Sequence, residues 1–176
     1  MTAKTKTVAL FSTIAIALLT IVTVGFVATD TLASSQLGES CDQSLWQHVY
    51  HGTFATAKDR LKPINACKTV TGTLHFVRVE KDGDTHMRLD VDPQFKDLLN
   101  EKNANEKNML VVESMCDRTP TQQDTLAEGV CTGWHQNAYK STMDGKHVSV
   151  TGAYVEDEEE DHGWREVHPV TVIRVR

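Results

Sequence analysis

The chain has no second long apolar run, no Cys-x-x-Cys pair, no Gly-x-Ser-x-Gly element and no glycine-rich phosphate loop. Each absence excludes a class. One apolar run, residues 8–28, suits a single membrane crossing. The four cysteines lack the close spacing of a zinc site and read instead as a disulfide framework. Serine hydrolases and phosphate-loop nucleotide enzymes are set aside with their motifs. EF-hand spacing and internal repeats are missing as well. Basic residues are the scarcer charge. Taking Lys4 and Lys6 from 18 basic residues, and Asp30 from 24 acidic ones, leaves 16 against 23, a formal −7 beyond residue 33. Such a surface repels phosphate backbones and disfavours sequence-independent nucleic-acid binding.

What is present begins with the run itself, VALFSTIAIALLTIVTVGFVA, preceded by Lys4 and Lys6. About 20 apolar residues at 1.5 Å rise cross a hydrocarbon core of about 30 Å. The basic flank holds the N-terminal side in the cytoplasm, so the chain from Asp30 onward is expected outside. The run exceeds the apolar core of a cleaved signal, which favours a retained single-pass anchor in the cell membrane. Thr31-Leu32-Ala33 before Ser34 offers the alternative, secretion after cleavage near Ala33. All four cysteines fall on the exported side, where disulfides persist. Three pairings are open, and Cys41–Cys67 with Cys116–Cys131 is favoured because each closes a local segment.

The chain divides into a signal or anchor segment (residues 1–33), a stalk and helical segment (34–66) and a β domain (67–176). ASSQLGES is small and polar, as a stalk should be. Residues 42–61 follow a helical pattern, with Leu45, Val49 and Tyr50 on one face, Ser40 or Asp42 as cap and Pro63 as stop. The period then changes to two. Strands are expected at 69–81, 85–91, 109–115, 147–155 and 164–175, with Gly72 at a bend or bulge. Asp82-Gly83-Asp84 marks a hairpin, and Asp92-Pro93 opens a short helix through Leu99. Residues 103–108 read as a polar turn, and Pro169 as an edge or a bulge. The stretch 116–146 reads as a disulfide-bound loop with some helix at 124–136, long enough to carry function. This pattern predicts a mainly β fold: a five-stranded OB-like Greek-key barrel with short helices, after an N-terminal transmembrane or signal helix. An irregular β-sandwich is the runner-up.

Three groups of residues carry chemistry. His86, Glu113 and His168 would supply two imidazoles and a carboxylate to a divalent metal, with Asp84 and Glu166 as neighbours. The same His–Glu pairs suit general acid–base work, or simply stabilise an exposed sheet face. The acidic run from Glu156 to Asp161 reads as a solvated hairpin tip, with oxygen ligation of calcium as the alternative. Trp164 beside it reads as packing. Lys81-Asp82-Gly83-Asp84-Thr85 resembles the hairpin of the staphylococcal-nuclease-like family, in which an aspartate at the position of Asp84 helps hold calcium. Arg88 fits that resemblance, whereas Asp90-Val91-Asp92-Pro93-Gln94 lacks the glutamate expected downstream.

A longer ordered series spans residues 67–176. It comprises Cys67-Lys68-Thr69-Val70-Thr71-Gly72-Thr73, Asp82-Gly83-Asp84-x-His86, and Val111-Val112-Glu113 followed by Cys116. Val148-x-Val150-Thr151-Gly152-x-Tyr154-Val155 and Gly163-Trp164-x-Glu166-Val167-His168-Pro169-Val170-Thr171 complete it. The series resembles a group of small exported OB-like proteins, frequent in ammonia-oxidising archaea with relatives in bacteria. The resemblance implies an extracytoplasmic location and an OB-like barrel, and no assigned activity. Two readings of function follow. The first is a non-enzymatic, membrane-tethered domain binding a small ligand or a protein through the barrel face and the 116–146 insertion. The second is a metal-binding protein or metal-dependent hydrolase using His86, Glu113 and His168.

Overall fold

The computed structural model describes residues 40–50, 60–159 and 161–176. The expected membrane segment at 8–28, most of the stalk and the middle of the 42–61 helix lie outside the described residues. Among the described residues, no helix is long and apolar enough to cross a membrane.

The fold is mainly β, built from β1 (Leu61–Val79), β2 (Thr85–Val91), β3 (Leu110–Ser114), β4 (His147–Asp157) and β5 (Arg165–Val175). These form one five-stranded sheet in the order β1-β2-β3-β5-β4, closed because β1 pairs with β4 at one end and β2 at the other. All pairs are antiparallel except β3 with β5. Gly72 lies where β1 passes from one partner to the other, paired with both Val91 and Val148. A Cβ there would sit 2.3 Å from the Asp90 carbonyl oxygen, so only glycine lets the two strands close at this bend. The β1 register is unbroken at Gly72; its shifts fall near Asn65 and between Phe76 and Arg78.

Strand alternation sorts the side chains into two layers. Val70, Leu74, Met87, Leu89, Val112, Val150 and Val167 fill the barrel interior. A second apolar cluster lies elsewhere: Leu45, Trp46 and Val49, from a 3-10 helix at Gln43–His48, meet Leu61, Met115, Ala153 and Val155. The Asp42 side chain caps this helix by accepting from Ser44 N at 2.9 Å. Cys41–Cys67 ties its start to β1, and Cys116–Cys131 joins the same cluster.

Several local expectations are corrected. β1 begins at Leu61, eight residues before the expected Thr69, so residues assigned to the helical segment already pair with β4. Of the expected 103–108 turn, only Lys107 and Asn108 are a turn; residues 103–106 end a 3-10 helix, Glu101–Glu106, with Asn100 and Asn103 capping each other's backbone. Asn103 is fully buried, and its amide donates to Met109 O and Arg165 O, both at 2.9 Å, tying β3 to β5. The helix expected at 124–136 is a short α1, Gln123–Glu128, ended by Gly129 in the left-handed region. Of the two expectations for Pro169, the edge is wrong, because β5 is flanked by β3 and β4, and the bulge holds, since a register shift lies opposite it between Gly152 and Tyr154.

Two outcomes are expected. The folded protein should show no titratable thiol, and full reduction should cost about 2–5 kcal/mol, measured by denaturant unfolding with and without reductant. Gly152→Ala should destabilise by at least about 2 kcal/mol, because a Cβ would meet Pro169 O at 2.4 Å and Val167 Cγ1 at 2.6 Å; thermal melting gives the comparison.

Candidate functional site

The registers bring the polar residues together. His86 on β2 lies opposite Glu113 on β3, and the parallel register sets Val112 beside Val167 on β5. Glu113 and His168, one residue further on, therefore become neighbours. Met87, Val112 and Val167 point into the barrel, so His86, Glu113 and His168 point out of it. Yet this outward row is buried: His86 and His168 are 0% exposed and Glu113 is 2%. Polar residues on an exposed face need only water. Buried ones need partners.

Glu113 stands between two imidazoles. His86 Nδ1 donates to Glu113 Oε1 at 2.9 Å, and its Nε2 donates to Glu106 Oε2 at 3.2 Å. Arg88 Nε also reaches Glu106, at 2.6 Å. His168 Nδ1 lies 2.9 Å from Glu113 Oε2 but directs its hydrogen bond to Glu166 Oε1, 3.1 Å away. Glu166 Oε2 accepts from Trp164 Nε1 at 3.0 Å, so Trp164 holds a carboxylate as well as packing. Asp84 Oδ1 accepts from Cys116 N at 2.7 Å, while Oδ2 faces His168 Nε2 at 3.7 Å. Two atoms of this network, Glu113 Oε2 and His168 Nε2, are buried without any hydrogen-bond partner.

The electrostatics follow from burial and this partnering. Burial pushes the Glu113 carboxyl up, but the charge of the adjacent His168, with the bond and charge of His86, holds it well below its usual range. Burial pushes the His168 imidazole down, and Glu113 with Glu166 drive it well above its usual value. His86 is likewise raised: burial opposes protonation and the bond to Glu113 overcomes it. Burial, then the charge of Asp82, raises Asp84 well above the usual carboxylate range, and burial with Glu113 raises Glu166.

All five residues expected from the sequence, Asp84, His86, Glu113, Glu166 and His168, lie in this one cluster. They do not share one centre. Asp84, Glu113 and His168 present ligand atoms within 4.8 Å of one another, whereas His86 groups with Glu80 and Glu113. Asp84 also lies near Cys116 and Cys131, but their sulfurs are joined to each other. Sequence reading missed Arg60, Asp82 and Glu106, each at most 8% exposed. Asp82 was visible only as a hairpin residue, Glu106 only as part of a polar turn, and Arg60 carried no signal.

The acidic run is not a simple solvated tip. Asp157 is 0% exposed and accepts from His162 Nδ1 at 2.8 Å, with Arg60 Nε at 3.4 Å. Glu156 pairs with Arg165 and Glu158 with Lys62, both at 3.2 Å. Buried strand residues at its start gain ionic partners from β1 and the β5 approach, which one-dimensional charge counting does not reveal.

No family model, curated protein or solved structure matches this chain.

A pH dependence follows from the Asp157–His162 pair. Burial pushes Asp157 up, but the His162 bond and the Arg60 charge hold it below its usual 3.8. The bond to Asp157 raises His162 above 6.5, against burial. The carboxylate's contribution is present above pH 3.8 and lost as pH falls through its lowered folded value; the imidazolium's is complete below 6.5 and lost as pH rises through its raised value. His162→Gln should therefore lower the melting temperature most between about pH 4 and 6.5, with the difference from wild type shrinking at higher pH.

Proposed function

We propose that this chain is an exported, membrane-anchored OB-like barrel domain that holds a divalent first-row metal ion through Asp84, Glu113 and His168. One observation carries the reading: both buried atoms without hydrogen-bond partners in the network, Glu113 Oε2 and His168 Nε2, belong to this one carboxylate–imidazole triad. A cation would engage both atoms, with His168 Nε2 giving up its proton as it ligates. Two carboxylates and an imidazole suit zinc and its neighbours better than soft or purely oxygen-loving ions. The remaining His168 nitrogen rests on Glu166, the outer support that orients ligating histidines elsewhere. The composition of the buried groups argues the same way: the carboxyls of Asp82, Asp84, Glu106, Glu113, Asp157 and Glu166 outnumber the bases Arg60, His86 and His168. Burial and neighbouring carboxylates raise Asp82, Asp84 and Glu166. His86 is then a neighbour of Glu113 rather than a ligand.

The OB-like assignment is supported by the closed strand order β1-β2-β3-β5-β4 and the parallel β3–β5 contact. Two disulfides support export to an oxidising compartment. Burial of the triad, at most 3% exposed, favours holding a metal over hydrolysing a substrate. A second reading, ligand or partner binding at the insertion, is favoured by a cleft of about 430 Å³ lined by Phe76, Val79, Arg118, Asn137, Tyr139 and Lys140. Phe76 and Val79 remain 43% and 39% exposed there. Nuclease action is disfavoured by the acidic surface and by Asp84, which is engaged with Cys116 N and covered.

The full chain, purified in mild detergent, should retain about one zinc or cobalt ion after dialysis. Excess zinc at a hundred times Kd should raise its melting temperature by about 5–10 °C. Asp84→Asn and His168→Gln should abolish both effects, while His86→Gln should keep the stoichiometry. A chain that takes up no metal and melts unchanged with zinc, cobalt or copper would refute the metal reading. An oligonucleotide incubated with the chain and calcium should remain intact on a denaturing gel.

A further inference from the structure

We propose that Arg60 is the resident counter-cation of this centre: it neutralises the triad in the metal-free protein, and an entering metal displaces the inner end of its guanidinium toward the adjoining cleft. The proposal rests on the metal reading above and gives that site its route and its regulation.

Arg60 precedes β1 and is 8% exposed, although it carries a full charge. Its two ends face different partners. Nε lies 3.0 Å from Glu159 Oε2 and 3.4 Å from Asp157 Oδ2, on the outer side. NH1 and NH2 face inward, 3.8 Å from Asp82 Oδ2 and 3.9 Å from Glu113 Oε2. Those inner distances are too long for hydrogen bonds, so this end neutralises charge without being held in place. Glu113 Oε2, the atom it approaches, is one of the two left without a hydrogen-bond partner. The outer end has the short contacts.

Arg60 also forms part of the wall of a cleft of about 400 Å³, shared with the acidic Glu80, Asp82 and Glu159 and the basic Arg78 and Lys81, of which Arg78 pairs with Glu80. Asp82 and Glu159 flank the guanidinium on that wall, and Glu113 lies on its inner side. A cation drawn in from the cleft meets Arg60 before it reaches Glu113. Two cations about 4 Å from one carboxylate repel each other strongly in a poorly solvated site. The metal and the inner end of Arg60 thus compete for Glu113 Oε2, while Glu159, already 3.0 Å from Nε, holds the outer end in either state.

Cobalt and zinc titrations of the full chain in detergent, read by cobalt absorption and by melting temperature, test this. Arg60→Gln should bind the metal at least tenfold more tightly than wild type. Its metal-free form should melt lower, because buried carboxylates lose their counter-ion, and its gain on adding metal should be larger. Arg60→Lys, which keeps the charge, should stay near wild type. Glu159→Gln changes a residue whose side chain is 52% exposed, and because its contact with Arg60 is present before the metal enters, it should change the affinity far less than Arg60→Gln does. If Arg60→Gln binds equally or less tightly, while Asp84→Asn still abolishes binding, Arg60 is not the competing cation and the metal site stands alone. If neither wild type nor Arg60→Gln binds either metal, both readings fall together.

Discussion

The structure turns on a carboxylate buried where a side chain would ordinarily meet water. Glu113 points outward from β3, yet is 2% exposed, and an unpaired charge there would cost several kcal/mol. His86 on one flanking strand and His168 on the other make the position tolerable. Each histidine in turn needs its second nitrogen or its orientation secured, which recruits Glu106, Glu166 and Asp84. One buried charge thus propagates into a network across three strands.

That network depends on the barrel's closure. The parallel β3–β5 pairing sets Glu113 against His168, while the antiparallel β2–β3 pairing sets it against His86. A one-residue slip in either pair would turn one partner toward the apolar interior. Gly72 and Gly152 allow the close approach of β1 to β2 and of β4 to β5 that completes the closed sheet, and Asn103 stitches β3 to β5 from the side. The polar cluster therefore inherits its precision from backbone packing.

Covering the outward face has its own chemistry. The Cys116–Cys131 segment brings a backbone amide onto Asp84 and apolar groups onto the neighbouring strands. Trp164 lies edge-on to His86 and bonds Glu166. Arg60 brings a positive charge among carboxylates from two hairpins, and stays protonated against the penalty of burial because of the charges of Glu113 and Asp157 beside it. A cluster with this excess of acid over base has a standing demand for positive charge. The proposed metal and the resident arginine are two ways of meeting it.

Much of this was legible in the sequence. Period-two alternation located all five strands, and the Asp-Gly hairpin joined the first two, because burial of one face imposes that pattern directly. Local loop closure selected the right cysteine pairs. Alternation also grouped Glu166 with His168 as side chains two apart on one strand. Charge patterning failed where burial overrode it: Glu106 and Asp157 looked solvated and are 5% and 0% exposed. The sequence by itself determined the strands, the disulfides and the chemical types available to a site, since these depend on neighbours along the chain. Only the tertiary structure decided that Asp84 rather than His86 joins Glu113 and His168, and that Arg60 faces them. Register and loop covering set those contacts between residues 20 to more than 80 positions apart, and no local pattern records them.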